Sequence, residues 1–458
     1  MSTQSKGELV DLLGIGFGPS NLALAIAVHE HNEHSEAGEA PISAAFHERQ
    51  PRFGWHRDML IDDSTMQISY LKDLVTLRNP TSAFSFVAYL HEKGRLVDFI
   101  NHQVIYPSRV EFHDYLEWAA ARFVPQVEYG SEVTAIHPVV TDDRVTALDV
   151  HAVSEDGVTV RRARNVVLAT GLSPCLPDGV ERGDRIWHSG ELLGRVAGLG
   201  DARPKRLAVV GAGQSAAEVT EYLHRTFTDA EVYSVFSRYG YSAADDSPFA
   251  NRIFDPAAVD EFFTSDTEVR QMLLEYHAGT NYAVVDRDLI NELYRRSYHE
   301  RVTGRRRLRF LNVSRPRRVT PTADGVRLDI EHLPTRTTTA LDVDYVVFAT
   351  GYRPSRPDRL LDALEPWLRR AEHDELVVGR DYRVLTDGRM SAGVYVQGAT
   401  EHLHGISSSL LSTSCVRAGE IAESVVEAVR RTAPLATGSV PRGSVPRGSG
   451  QPRQVLGS

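Results

Sequence analysis

Residues 10–30 read VDLLGIGFGPSNLALAIAVHE. A short apolar run leads into Gly14, Gly16 and Gly18, then into apolar residues spaced three and four apart. This is the pattern of a strand, a tight turn and a helix. Gly14 is expected to permit the turn. Gly16 is expected to let backbone amides approach a pyrophosphate at the helix N-terminus. Residues 206–225, RLAVVGAGQSAAEVTEYLHR, repeat the pattern. Gly211 and Gly213 stand in the second turn with Gln214 and Ser215, and Ala216 holds the third glycine place. Each unit is followed by an apolar run that closes on Ala-Thr-Gly, NVVLATG (165–171) and YVVFATG (345–351). The expected fold class is α/β, with two Rossmann-like dinucleotide-binding domains, the second inserted in the first.

The two turns are followed by different chemistry. The next strand after the first, ISAAFHER, carries Glu48, and a carboxylate there suits a ribose diol, as in FAD. The polar insert HEHNEHSEAGEAP lengthens the usual separation. The corresponding second strand, AEVYSVFSR, ends in Arg238 with no carboxylate. An arginine would pair with a 2′-phosphate that a carboxylate would repel, so this site suits NADPH over NADH. The plainer reading of Arg238 is a solvated surface arginine. FAD and NADPH on one chain imply hydride transfer to flavin. Disulfide reduction would need a cysteine pair, and Cys175 and Cys415 form no CxxC. Oxygen chemistry is the leading expectation.

The chain has 458 residues, 42% hydrophobic and 24% charged, which suits two or three domains with large cores. A net charge of −10 argues against a general nucleic-acid or anionic-membrane binder. The start of the chain shows no signal peptide, and no apolar run approaches the ~18 residues of a spanning helix. A cytoplasmic protein is expected. The expected division is 8–200 for the first part of the FAD domain, 201–350 for the NADPH domain, 351–430 for the return of the FAD domain, and 432–458 for a disordered tail repeating SVPRGS. Within the NADPH domain, 240–300 reads as a small, mostly helical substrate-binding region. His402 and His404 form an HxH pair, but nothing around them in sequence completes a metal site, so no metal is expected. GRRRLRF (304–310) reads as a solvated face.

Residues 66–86, MQISYLKDLVTLRNPTSAFSF, place Lys72 among Tyr70, Leu71, Leu74, Leu77, Phe84 and Phe86. On its own, Lys72 could lay its stem on apolar surface and keep its head in water. In company it becomes more specific. This stretch, with GIGFGPSNLALA, FGWHRDMLI, GAGQSAAE, DDSPFANRIFDP, GTNYAVVD, DYVVFATGYRP and HGISSSLLS in that order, resembles the flavin-dependent N-hydroxylating monooxygenases, especially the L-ornithine N-monooxygenases of siderophore and hydroxamate biosynthesis. The resemblance covers about residues 8–430. It implies that Lys72 pairs with the substrate α-carboxylate, that Asn251 and Asn281 hold ornithine, and that Ser412 lies on the substrate side. It places Gln67, Trp55 and His56 about the flavin. It implies NADPH- and O2-dependent hydroxylation of the δ-amine of L-ornithine through a flavin hydroperoxide, with no protein nucleophile or acid–base residue, in a homotetramer. Asn251 and Asn281 could equally be turn residues, and Trp55 an ordinary core residue. Rival readings are an L-lysine or diamine N-hydroxylase, a flavin oxygenase of sulfides or ketones, and a non-catalytic NADPH-sensing flavoprotein.

Overall fold

The computed structural model describes residues 4–35, 39–355, 358–371 and 375–432. The expected tail lies outside the described residues except for Thr432, which closes the last helix, Ser414–Thr432.

The first glycine-turn strand, Gln4–Ile15, sits inside a seven-stranded sheet. Ala44–Glu48 and Gly157–Leu168 flank it in parallel, and Val127–Tyr129 adds beyond Ala44–Glu48. Gly157–Leu168 changes partners along its length. Its first half pairs antiparallel with Arg144–Ser154, which pairs in turn with Glu132–Thr141. Its last residues, Asn165–Leu168, pair parallel with Gly393–Val396. The chain therefore returns to its first sheet after the second unit. Helices Pro19–His34, Arg109–Ala120 and Ser414–Thr432 pack residues such as Leu24, Phe112, Tyr115, Ile421 and Val425 into one core with this sheet.

The second sheet is wholly parallel, in the order Leu308–Leu311, Glu231–Val235, Arg206–Val210, Tyr345–Phe348, Ile186–His188. Side chains alternate across a strand, and here both faces are buried. Leu207 and Val209 join Val347 under helices Gln214–Thr226 and Arg287–Thr303. Ala208 and Val210 join Val346 and Phe348 on the other face, covered by Val326, Leu328 and Ile330 of a three-stranded antiparallel sheet. Burial on both faces explains why these strands read as unbroken apolar runs. The edge strand Ile186–His188 lies on the N-terminal side of the expected 200/201 boundary. After each Ala-Thr-Gly the chain enters a two-stranded ribbon, Leu172–Pro174 against Tyr352–Pro354, so the ribbon joins the two sheets.

Segment 240–300 is helical: a 3₁₀ turn Ala250–Phe254, then Ala258–Thr264, Thr267–Tyr276, Ala278–Asn281 and Arg287–Thr303. Asp266 and Asp286 cap two of these helices with their carboxylates. Among the described residues no helix is long and apolar enough to cross a membrane.

His404 belongs to this packing. It is fully buried, stacks on Tyr382 with centroids 4.2 Å apart, and donates from Nε2 to the Gly379 carbonyl at 3.1 Å. Burial lowers its pKa to about 4. The unfolded chain therefore takes up a proton below about pH 6.5 that the folded chain refuses. Stability should be full above that pH and fall toward pH 4, by up to about 1.4 kcal/mol per unit from this residue. Urea unfolding at pH 7 and pH 5 will show a shallower pH slope in His404→Leu than in wild type. Equal slopes would mean that His404 does not contribute.

Candidate active site

The two glycine turns correspond in a register that the sequence does not reveal. The first strand ends at Ile15, and Gly18 caps helix Pro19–His34. The second ends at Val210, and Gly213 caps helix Gln214–Thr226. Gly16 therefore corresponds to Gly211, and Gly18 to Gly213. The hydrogen bonds agree. Gly16 N–H donates to the His47 carbonyl at 2.8 Å and Ala169 N–H to Ile15 at 2.9 Å; Gly211 donates to Val235 at 3.1 Å and Ala349 to Val210 at 2.8 Å. Both Gly16 (φ +85°) and Gly211 (φ +147°) use backbone that favours glycine, and a Cβ on either would lie 2.4 or 2.2 Å from the carbonyl oxygen of Ala169 or Ala349. The Ala-Thr-Gly segments are the walls against which the turns close.

This corrects the role expected of Gly14. It lies within the strand, where a Cβ would fall 2.3 Å from the Phe46 ring, so it makes room for packing and leaves the tight turn to Gly16. Gly18, by contrast, has open space where a side chain would be. In the corrected register the third glycine place is Asn21. It is fully buried and donates to the Gly16 carbonyl at 2.7 Å, while Gln397 donates to its Oδ1 at 3.0 Å.

A cavity of about 740 Å³ opens before the first turn. Gly16, Gly18, Glu48, Trp55 and His56 line it; Gly14 and Gln67 do not. Glu48, buried at the end of its strand, accepts the Phe17 amide at 2.7 Å on one oxygen and the Gln50 amide at 2.8 Å on the other. These bonds fix the carboxylate and leave lone pairs for a diol. His56 faces the cavity between Trp55 and Tyr352, at 5.0 and 5.6 Å between centroids. Desolvation, with the Arg109 charge nearby, lowers its pKa to about 4, so the ring is neutral at pH 7. Helix N-terminus, fixed carboxylate and aromatic wall together fit the phosphate, ribose and ring of FAD. Tyr352 also lines this cavity, as does Arg417. Gln67 is exposed, next to buried Met66.

At the second turn, Gln214 is held at both ends. It donates to Glu218 at 3.0 Å and accepts the Asp286 amide at 2.8 Å. Ser215 stands in the first turn of the helix. Arg238 is exposed and donates to the Ala283 carbonyl at 2.9 Å, beside Gly213. Arg109 bridges the units with a bidentate pair to Glu218 at 2.7 and 3.0 Å and a bond to the Met59 carbonyl.

The Lys72 loop is pinned by its neighbour. Asp73 is buried and accepts the amides of Val75, Thr76 and Phe86 at 2.9, 2.6 and 2.8 Å, plus the Thr76 hydroxyl. Lys72 is half-buried, and its Nζ stands 6.0 Å from the centroid of Phe254. Phe254 ends the 3₁₀ turn that contains Asn251, whose amide donates to the Asp246 carbonyl at 3.0 Å. That turn packs on Ile406–Ser409, and Ser409 and Leu411 line the cavity. Ser412 follows, buried. Asn281 is half-buried and hydrogen-bonds Tyr282, whose hydroxyl donates to Glu401 just before the same segment. Lys72 and the Asn251 turn are thus in contact, and residues 401–412 connect them with Asn281, Ser412 and the cavity.

The family model for L-lysine 6-monooxygenase/L-ornithine 5-monooxygenase matches residues 8–354. The chain belongs to this family. An L-ornithine N(5)-monooxygenase of Burkholderia cepacia is 40% identical over 450 residues, covering 95% of this chain and 97% of the relative. The ornithine N-hydroxylase of Kutzneria sp. 744, solved with reduced FAD, NADP+ and L-ornithine, is 42% identical at a TM-score of 0.88, covering 93% of this chain and 100% of that one. The L-lysine 6-monooxygenase of Pseudomonas syringae is 35% identical at a TM-score of 0.81, covering 92% and 100%. For this family member, the fold of two dinucleotide-binding domains agrees with the sequence reading.

Proposed function

We propose that this protein hydroxylates the side-chain δ-amine of L-ornithine, using FAD, NADPH and O2. The observation that carries this reading is the meeting of two things: a cavity built for FAD, and a half-buried lysine, Lys72, that contacts the Asn251 turn at the cavity's flank. FAD, when bound and reduced by NADPH, supplies the activation of O2. Gly18 and the N-terminus of Pro19–His34 receive its phosphates, and Glu48 its ribose. Arg238 selects the 2′-phosphate of NADPH. Lys72 binds the amino-acid carboxylate, and the amides of Asn251 and Asn281 serve as donor or acceptor to the rest of the substrate. Ser412 lies on the substrate side; Gln67, exposed and outside the cavity, is given no part in it. These residues position the neutral amine and exclude water; none of them acts as a nucleophile.

Ornithine is favoured over lysine by the 42% identity to the ornithine enzyme against 35% to the lysine enzyme. One methylene discriminates by only ~1–3 kcal/mol, so turnover must decide. With FAD, NADPH and air, ornithine should give N-hydroxyornithine in step with NADPH consumed, and lysine mainly peroxide. Coupled turnover of lysine but not ornithine would reverse the assignment. Peroxide alone with both would remove it.

The same reading carries a place in siderophore or related hydroxamate assembly, a cytoplasmic location and a homotetramer. That Cys175 and Cys415 form no disulfide with each other fits this location.

A further inference from the structure

The wall of the FAD cavity holds a buried cation that no carboxylate pairs among the described residues. Arg417 lies early in helix Ser414–Thr432 and is 3% exposed. Its Nη1 donates to the Ser408 carbonyl at 2.7 Å. Nε reaches Gln397 Oε1 and Nη2 reaches Ser20 Oγ, each at only 3.5 Å. All three acceptors are neutral. Arg109, the half-buried arginine beside the second glycine-turn helix, differs in this respect, because Glu218 takes it bidentately. A buried charge without a counter-ion is costly and calls for an anion. Arg417 lines the cavity, and Ser20, which its Nη2 approaches, is in the first turn of Pro19–His34. A helix N-terminus favours anions at that point, and a guanidinium fork matches two phosphate oxygens.

We infer that Arg417 is the counter-cation of the FAD pyrophosphate, acting with the N-terminus of helix Pro19–His34. The inference rests on the reading of the cavity as an FAD site. It also explains why a residue near the far end of the chain lies against the first glycine turn. FAD binding would then complete the joint between helix Ser414–Thr432 and the turn.

The test uses the full-length apoprotein and Arg417→Met, which keeps the length of the stem and removes the charge. ADP carries the adenosine and pyrophosphate of FAD without the flavin; adenosine lacks the phosphates. Calorimetry should show FAD and ADP binding weakened by roughly 30-fold or more in R417M, with adenosine binding unchanged. R417M apoprotein should unfold within about 2 °C of wild type or above it, because an unpaired buried charge has been removed. The gain in unfolding temperature on adding FAD should shrink. An unchanged ratio of ADP to adenosine affinity would overturn the inference. So would an R417M apoprotein that fails to fold, since Arg417 would then be a tether for Ser408. Wild-type protein that binds neither FAD nor ADP would overturn the cavity's assignment, and this inference with it.

Discussion

Replacing Lys72 with alanine should raise the KM for ornithine by roughly two orders of magnitude and divert NADPH oxidation into peroxide. A buried, hydrogen-bonded charge pair loses about 2–5 kcal/mol when one partner is truncated, and about 2.8 kcal/mol, in the lower half of that range, is roughly a hundredfold. The structure separates this effect from a folding defect. Lys72 is half-buried and makes no ion pair among the described residues, and its Nζ has only the Phe254 face at 6.0 Å. The loop is held by Asp73, whose carboxylate spans the backbone from Val75 to Phe86. Removing the ammonium should therefore change stability by no more than about 1 kcal/mol. NADPH oxidation without ornithine should proceed at the wild-type rate, because the second glycine turn is untouched. Lys72→Met should behave as Lys72→Ala does, showing that charge and not the stem is missing. An ornithine KM within about threefold of wild type in both variants would remove Lys72 from the substrate site.

The strand–turn–helix units were legible because their physics is local. Parallel strands buried on both faces leave unbroken apolar runs, and a glycine turn must follow at the strand's end. The register of the first turn was not legible. Glycines alternate at 14, 16 and 18, and any two could form the turn; what fills the place of a Gly14 side chain is the ring of Phe46, thirty-two residues away, with the Asn21 amide beside it. The substrate segments were legible through the order of their motifs, although only the fold shows that the Lys72 loop meets the Asn251 turn. Asn21, Gln397 and Arg417 were missed because their partners are distant. Gln397 bonds Asn21 across 376 residues, and Arg417 approaches Ser20 across 397. Nothing local announces such a meeting. It follows from the return of Gly393–Val396 to the first sheet, and a four-residue strand is too short to show a period. The three-residue edge strand Ile186–His188 escaped for the same reason.

Gly16→Ala and Gly18→Ala should fail in opposite ways. At Gly16 the backbone is left-handed, and the new methyl would stand 2.4 Å from the Ala169 carbonyl. Neither side can yield easily, because the Gly16 amide is bonded to His47 and the Ala169 amide to Ile15. Strained backbone and a steric clash with main chain together should cost roughly 3–5 kcal/mol, and the unfolding temperature should fall by about 10 °C even without cofactor. Gly18 has φ −82° and ψ −172°, which any residue adopts, and apart from its chain neighbours nothing lies within 4 Å of its absent Cβ. Gly18→Ala should therefore fold as wild type does. Its methyl would occupy the space beside the helix N-terminus where the pyrophosphate must approach, so FAD binding should weaken by roughly tenfold or more. Gly14→Ala provides the control for register. Its methyl meets the Phe46 ring, so it should lower stability without passing the turn's burden to the cofactor: whatever FAD binding the folded fraction shows should be close to wild type. If Gly14→Ala, and not Gly18→Ala, selectively loses FAD, the turn begins two residues earlier than this structure places it. If Gly16→Ala keeps its stability, the Ala-Thr-Gly wall does not close on the turn, and the correspondence between the two nucleotide units fails with it.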